Sequence, residues 1–490
     1  MFGEHSTLGL RGGQSHLRWV AALPALLAAS VSGADIRIEG ERLHVTTNRM
    51  EATFFGPELA EVRNIASDER PMYGTRPRTP LTRVQAGDGS WPALRVTEWR
   101  TGKNPNAAML TLKDLARTAV LSVSVDSDTD EIVVEMWADA REEGLRSLQF
   151  GIRNLDATVG RLLLPTSGDQ EIKPATLRQT RTLAYPAAWQ APFFVWQGAQ
   201  GGIVAYSPDG GERRTLTVTP QGSKADLQLT TEAPAPWAAC GHMPAATWRI
   251  DCYKGDWRAP AQRYRDLMYD RHPPVPTRGG RGWVTQIDRV VEVTRQEAAT
   301  WQPPADADTA SATLVRFVGA LPHSGSLDAA MAAATRRAKQ AGCRVMLDLD
   351  VTTPGDAEKW RRQLVLRPDA ATALEPPAVS LASPEWRAHL GAVAEGAMAE
   401  APTDALMLVG LDAMPNDGRP ERGGNQAFRA AGALCRALLT RFPNLILASG
   451  AVCDALSPFV WWARDFPKPS VEPGVSRFLF GAHLIEPATP

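Results

Sequence analysis

The chain has 490 residues, with 53 Lys plus Arg against 54 Asp plus Glu and a formal net charge of -1. That balance supplies no global field for nucleic acid or for an anionic membrane, so neither is an expected partner. At roughly 100–200 residues per domain, the length predicts two or three domains, with cores large enough to need no disulfide staples.

Residues 1–34 read as a targeting segment. Arg11 and Arg18 supply positive charge, Trp19 to Val31 (WVAALPALLAASV) supply a short apolar run, and Ser32-Gly33-Ala34 supply the small residues of a cleavage site. The run falls short of the ~20 residues of a membrane span. A signal peptide is therefore expected, with a mature chain starting near Asp35, a secreted or periplasmic location and no membrane span after its removal.

From residue 35 to about 254 the chain is a succession of short alternating runs broken by Gly, Pro, Asn and Asp, among them IRIEGERLHVTT, AVLSVSVDSDTDEIVVEMWADA and GGIVAYSPDGG. Period-two alternation at this spacing predicts an antiparallel β-sandwich. Within it, Cys240 and Cys252 flank a plausible hairpin, ACGHMPAATWRIDC, and are placed to pair in an oxidising compartment. The other three of the five Cys, at 343, 435 and 453, read as buried thiols.

Residues 255–281 hold a linking helix in GDWRAPAQRYRDLMYDRHPP, with Tyr264, Leu267 and Met268 on one face, and then a Gly/Arg-rich link. From 282 to 490 the pattern changes to alternating strands and helices. GWVTQID, ATLVRFVGAL, CRVMLDLD, ALMLVGLDA, NLILASGAVCD and SRFLFGA are strand-like; LDAAMAAATRRAKQAG, SPEWRAHLGAVAEGAMAEA and NQAFRAAGALCRALLTRF are helix-like. Apolar strands alternating with Ala-rich helices predict a parallel sheet of the (β/α) TIM-barrel type. A doubly wound sheet is second choice, because no Gly-rich phosphate fingerprint follows any strand. About six strands are countable where a closed barrel has eight. Either two more lie in the polar 290–310 or 354–380 regions, or the barrel is incomplete at the C-terminus.

In such a barrel the chemistry sits at the C-terminal ends of the strands. The acids ending the apolar runs are Asp288, Asp348, Asp350, Asp412, Asp417 and Asp454. Converging carboxylates are what glycosidic bond cleavage needs, one to protonate the leaving oxygen and one to attack or to activate water. Each Asp taken singly also suits a helix N-cap, for which a βα loop is the usual place. Metal hydrolysis is not indicated: the eight His are scattered and no HExxH spacing exists. No cofactor is expected. A Ser nucleophile lacks its GxSxG elbow, and Cys453 has no His placed by sequence to activate it.

The order LLLPTSGD, YPAAWQAPFFVWQGAQGGIVAYSPDG, GDWRAPAQRYRDLM, SPEWRAHLGAVAEG, LDAMPND and NQAFRAAGALCRALLTRFPNLILASG resembles that of secreted bacterial glycosidase-like proteins. Those proteins join a galactose-mutarotase-like β-sandwich to a TIM barrel, and are kin of endo-α-N-acetylgalactosaminidases and α-galactosidase-like enzymes. The resemblance implies that Asp412 is a nucleophile, with Asn416-Asp417 matching the ND after it. It also implies a GEG-type segment after the next strand, whose Glu is the acid/base. Here that place reads SGAVCD: Gly450 stands where the Glu belongs, and Asp454 is the candidate substitute, one methylene shorter.

Two functions follow. In the first, a secreted glycoside hydrolase uses Asp412 and Asp454, with Asp348, Asp350, Asn416 and Asp417 as substrate-binding groups and Trp283 and Trp461 as sugar platforms. Trp462 is a further candidate, and Trp386 is read as core. In the second, the general acid is lost and a carbohydrate-binding or scaffold protein remains. Loss of a general acid lowers the rate by about 10²–10⁴-fold.

Overall fold

A computed structural model of the chain describes residues 34–481 apart from 75–78, 103, 105, 170, 211, 272, 274–281, 322–326, 371, 412–413, 423–425, 451, 461 and 464–473. The 1–34 signal reading therefore lies almost wholly outside the described residues. No helix among those described is long and apolar enough to cross a membrane.

The N-terminal half is a sandwich of two antiparallel sheets. One runs from Asp35–Glu39 through Arg42–Thr46, Met50–Phe55, Glu58–Asn64 and Glu69–Met72 to the long strand Leu145–Asp156, then Lys224–Glu232, Arg214–Gln221 and Arg181–Tyr185. The other centres on Arg117–Val125, Ile132–Ala140 and His242–Lys254, and ends at an irregular edge made of Arg95–Val96 and Arg100–Thr101 against Ala107–Lys113. Strict alternation explains the pairing: Ala119, Leu121 and Val123 turn inward and are fully buried, while the residues between them are partly open. The Trp-rich stretch at 189–196 fills the core, with Trp189 and Trp248 stacked at 6.1 Å.

One expectation fails here. ACGHMPAATWRIDC is not a hairpin, because His242–Lys254 is a single strand of 13 residues. At ~3.3 Å per residue, Cys252 lies near the far end of that strand from Cys240, and both thiols are free.

After the linking helix Arg258–Arg271, a parallel sheet follows in strictly sequential order: Arg289–Val293, Thr313–Leu321, Arg344–Asp350, Ala405–Val409, Ile446–Ser449 and Trp462–Ala463. Helices Ala329–Gln340, Pro384–Glu400 and Gln426–Arg441 pack on one face, as their Ala-rich stripes predict. The fold is a β-sandwich followed by a TIM-like domain. The two edge strands do not pair with each other among the described residues.

Two strand-like runs turn out to be helical. GWVTQID forms a 3₁₀ turn, Gly282–Gln286, and the first strand is the next segment, RVVEV. Trp283, Val284 and Ile287 are its buried residues, a helical rather than a period-two spacing. SRFLFGA likewise yields the helix Val475–Phe480, burying Val475, Ser476, Leu479 and Phe480. Of the polar regions that were to hide strands, 290–310 holds part of the first strand, while 354–380 contributes, among the described residues, isolated bridges, Leu364 with Val379 and Leu366 with Ala373.

The thiols test this arrangement. Cys252, Cys343, Cys435 and Cys453 are buried and only Cys240 is partly open, so a native-state thiol titration is expected to label one Cys quickly. All five should react in denaturant without reductant; four or fewer would restore a disulfide.

Candidate functional site

The parallel sheet presents one face to its helices and the other to the lumen. On the lumen face Leu314, Met346, Ala405, Met407, Ile446 and Ala448 form an apolar floor, closed from below by Trp283, Val284 and Ile287. The two-residue period then carries the same face upward to Glu292, Arg316, Asp348 and Asp350. The lumen is thus apolar at the N-terminal ends of the strands and charged toward the C-terminal mouth.

Asp348 is buried in that charged layer. Its two oxygens accept from Arg316 Nε at 2.8 Å and Nη2 at 3.0 Å, while Arg316 Nη1 donates to Glu292 Oε1 at 2.6 Å. Burial pulls the guanidinium pKa down, but Asp348 and Glu292 together outweigh it and hold the pKa above its usual value. Asp350 stands two residues higher, at the strand end and partly exposed. Its Oδ1 accepts from the amides of Thr352 at 2.9 Å and Thr353 at 2.8 Å, closing the turn that leaves the strand. Asp350 reaches the mouth; Asp348 is committed to Arg316.

Asp454, expected as the substitute acid, is displaced from that role by its partners. It is buried after the fifth strand, where Oδ1 accepts from Tyr185 Oη at 2.6 Å and Oδ2 from Tyr264 Oη at 2.9 Å. Tyr185 belongs to the sandwich and Tyr264 to the linking helix. Burial first, and the Asp454 charge second, push both phenols well above their ordinary pKa, so both remain donors. Such a carboxylate, buried with a protein donor on each oxygen, ties domains together.

Asn416 and Asp417 are also corrected from substrate groups to clasps. Asn416 is buried and donates to Glu232 Oε1 at 2.6 Å and to the Ala233 carbonyl at 3.0 Å, in the sandwich. Asp417 Oδ1 accepts from the amides of Leu366 at 3.1 Å and Arg419 at 3.2 Å. Beside Asn416 a cavity of about 250 Å³ opens between the sandwich residues Glu212, Arg213 and Glu232 and the barrel residues Pro420 and Gln426.

Trp283 is buried in the floor at the end opposite the mouth, with Arg344 5.1 Å from its ring centroid, and so is not a sugar platform. Asp288, which precedes the first strand, is exposed at that same end and does not close a strand. Trp386 is core, its Nε1 donating to the Val351 carbonyl at 2.8 Å. Asp412 and Trp461 lie outside the described residues, as does the side chain of Trp462. Asp412 follows the fourth strand by three residues. Asp465, which the sequence reading did not consider, follows the sixth strand by two residues and lies outside the described residues. A two-residue strand is too short to show any periodicity.

Among the described residues no group of three or more His, Cys, Asp or Glu is placed to hold a metal ion.

No family model and no curated protein matches the sequence. Solved structures do. The ligand-free α-N-acetylgalactosaminidase NagBb from Bifidobacterium bifidum superposes with a TM-score of 0.66 at 10% identity, covering 92% of this chain and 84% of that one. Its complex with GalNAc gives 0.64 at 11% identity, covering 92% and 83%. The GH36 α-galactosidase AgaB from Geobacillus stearothermophilus overlaps less, with a TM-score of 0.46 at 13% identity over 87% and 74%. The chain has a glycoside-hydrolase-like fold. The resemblance drawn from the order of sequence segments agrees with these neighbours, and at such low identity they speak for the fold alone.

Removing the Asp454 side chain would leave two buried hydroxyls without an acceptor, so Asp454→Ala is expected to lower stability by about 2–5 kcal/mol, read from denaturant midpoints. An unchanged midpoint would refute the tether. The two phenols also set an alkaline limit. Below pH 10 they are protonated in the folded and unfolded chains alike, and their contribution is complete. Above the ordinary tyrosine value of 10.0 the unfolded chain releases protons that the folded chain keeps, so stability falls as pH rises. The Tyr185→Phe/Tyr264→Phe double variant should show a shallower alkaline decline.

Proposed function

We propose that the protein is a secreted or periplasmic glycoside hydrolase acting at the C-terminal mouth of its parallel sheet, with Asp412 as nucleophile. The observation that carries this reading is strand order. The fourth and sixth strands, which precede Asp412 and Asp465, are separated by one strand. Two interstrand spacings put their axes ~9.6 Å apart. That strand separation is comparable with the carboxylate spacing of about 5–9.5 Å used by retaining and inverting glycosidases. Asp465 accordingly replaces Asp454 as the proposed acid/base.

The neighbours are α-N-acetylgalactosaminidase structures, which makes an α-linked galactose-type sugar the first substrate class to try. Aryl α-GalNAc and α-galactoside substrates provide the assay. Asp412→Asn and Asp465→Asn are each expected to lower kcat by about 10²–10⁴-fold or more, whereas Asp454→Asn should lower the folded yield and leave kcat of the folded fraction near wild type. Exported protein should begin near Asp35 on N-terminal sequencing.

The second reading, a carbohydrate-binding or scaffold protein without turnover, is favoured by one observation. Asp348 and Asp454 each have a protein donor on both oxygens, so that among the described strand-end acids Asp350 is the one at the mouth with an oxygen outside the turn contacts. Saturable glycan binding that survives Asp412→Asn, with no hydrolysis by the wild type, would establish it in place of the first.

A further inference from the structure

One groove lies in the sandwich, remote in sequence from the strand-end acids. It encloses about 680 Å³ and is walled on one side by the turn Phe55-Gly56-Pro57 and on the other by the irregular edge that runs from Arg95 to Arg100 beside Lys113. Its volume is within the 300–1,000 Å³ usual for ligand sites.

The charges around it are unusual in their placing. Arg95 and Lys113 are directly opposite each other in antiparallel register. Opposed like charges destabilise a strand pair, and neither Arg95, Arg100 nor Lys113 joins any ion pair among the described residues. Charged side chains on an edge strand do discourage edge-to-edge aggregation, but that purpose is served by single charges and does not call for two cations face to face over a cavity. An anion bridging them would turn the repulsion into two charge-assisted hydrogen bonds.

The remaining lining narrows the ligand. Pro57, Pro80, the exposed Val96 and Phe55, whose ring carries the Arg42 guanidinium at 4.5 Å, provide an apolar floor, and Glu41, Glu58 and Glu98 stand among the cations, Glu58 being paired with Arg153. Carboxylates accept from hydroxyl donors, which a sugar chain supplies in number. An extended peptide cannot simply add a strand here, because the edge bulges and turns Trp99 into the core against Phe54. Hydroxyls, spaced carboxylates and flat apolar ring faces occur together in one polymer class.

We propose that this groove binds a chain of acidic sugars, uronate units whose carboxylates bridge Arg95, Arg100 and Lys113 while their rings lie on Phe55 and Val96. The inference rests on the groove alone and not on the hydrolase reading.

The test is calorimetric titration of the full chain with tetragalacturonate at low and at physiological salt. Cellotetraose serves as the neutral control and a dT tetramer as the other polyanion. Saturable binding of tetragalacturonate that weakens with salt is expected, and Arg95→Glu/Arg100→Glu should weaken it by at least about tenfold. Val96→Asp tests the floor and should also weaken it. All three residues are exposed, so unchanged thermal melts will certify folding. No binding by the wild type, equal affinity in the double variant, which would place the ligand elsewhere, or equal affinity for cellotetraose or dT would each overturn the proposal.

Discussion

The barrel mouth is held to the sandwich by one buried carboxylate. A carboxylate deprived of water must be repaid in hydrogen bonds, and Asp454 collects them from Tyr185 in the sandwich and Tyr264 in the linking helix. Aromatic packing surrounds the knot: Tyr185 stacks on Phe428 at 5.6 Å, and Tyr264 meets Phe193 at 5.1 Å and Tyr206 at 5.6 Å. Since each partner comes from a different part of the chain, the loop after the fifth strand can hold its course only when sandwich, helix and barrel are assembled.

Two further clasps follow the same logic. Asn416 reaches Glu232 while Arg213 donates to the Met414 carbonyl, so the loop carrying Asp412 is braced by the sandwich on both sides of Pro415. At the last helix, Asp169 of the sandwich accepts from the amides of Ser476 and Arg477, and the approach is so close that a Cβ at Gly474 would lie 2.2 Å from the Asp169 carboxyl carbon. The mouth of the parallel sheet is therefore shaped in part by a domain that contributes no strand to it. This coupling explains why a sandwich and a TIM-like sheet form one compact unit.

The sequence was most legible where periodicity spans many residues. The sandwich strands, the helices Pro384–Glu400 and Gln426–Arg441 and the strands Arg344–Asp350 and Ala405–Val409 fall where alternation and Ala-rich stripes put them. Short apolar runs were not legible, because in six or seven residues a helix and a strand differ only in which side chains find neighbours. Trp283, Val284 and Ile287 found the lumen floor, and Leu479 and Phe480 found the core. The site was less legible still. Asp454 and its partners Tyr185 and Tyr264 are separated by 269 and 190 positions, and nothing local distinguishes an Asp that will meet two phenols from one that will meet a substrate.

What separates the two kinds of carboxylate is unfilled bonding capacity. A catalytic acid must change protonation state or attack a carbon, so at least one oxygen has to face the reacting atoms instead of a permanent protein donor. Asp348 fails this condition, with both oxygens on Arg316, and Asp454 fails it through its tyrosines. Asp350 meets it in part, since its turn contacts fall on Oδ1. In a TIM-like sheet every strand end can carry an acid, and burial of both oxygens marks which of them serve the architecture. By that criterion Asp348 and Asp454 are architectural. The buried Asp454 after the fifth strand serves instead to hold the domains together, through Tyr185 and Tyr264.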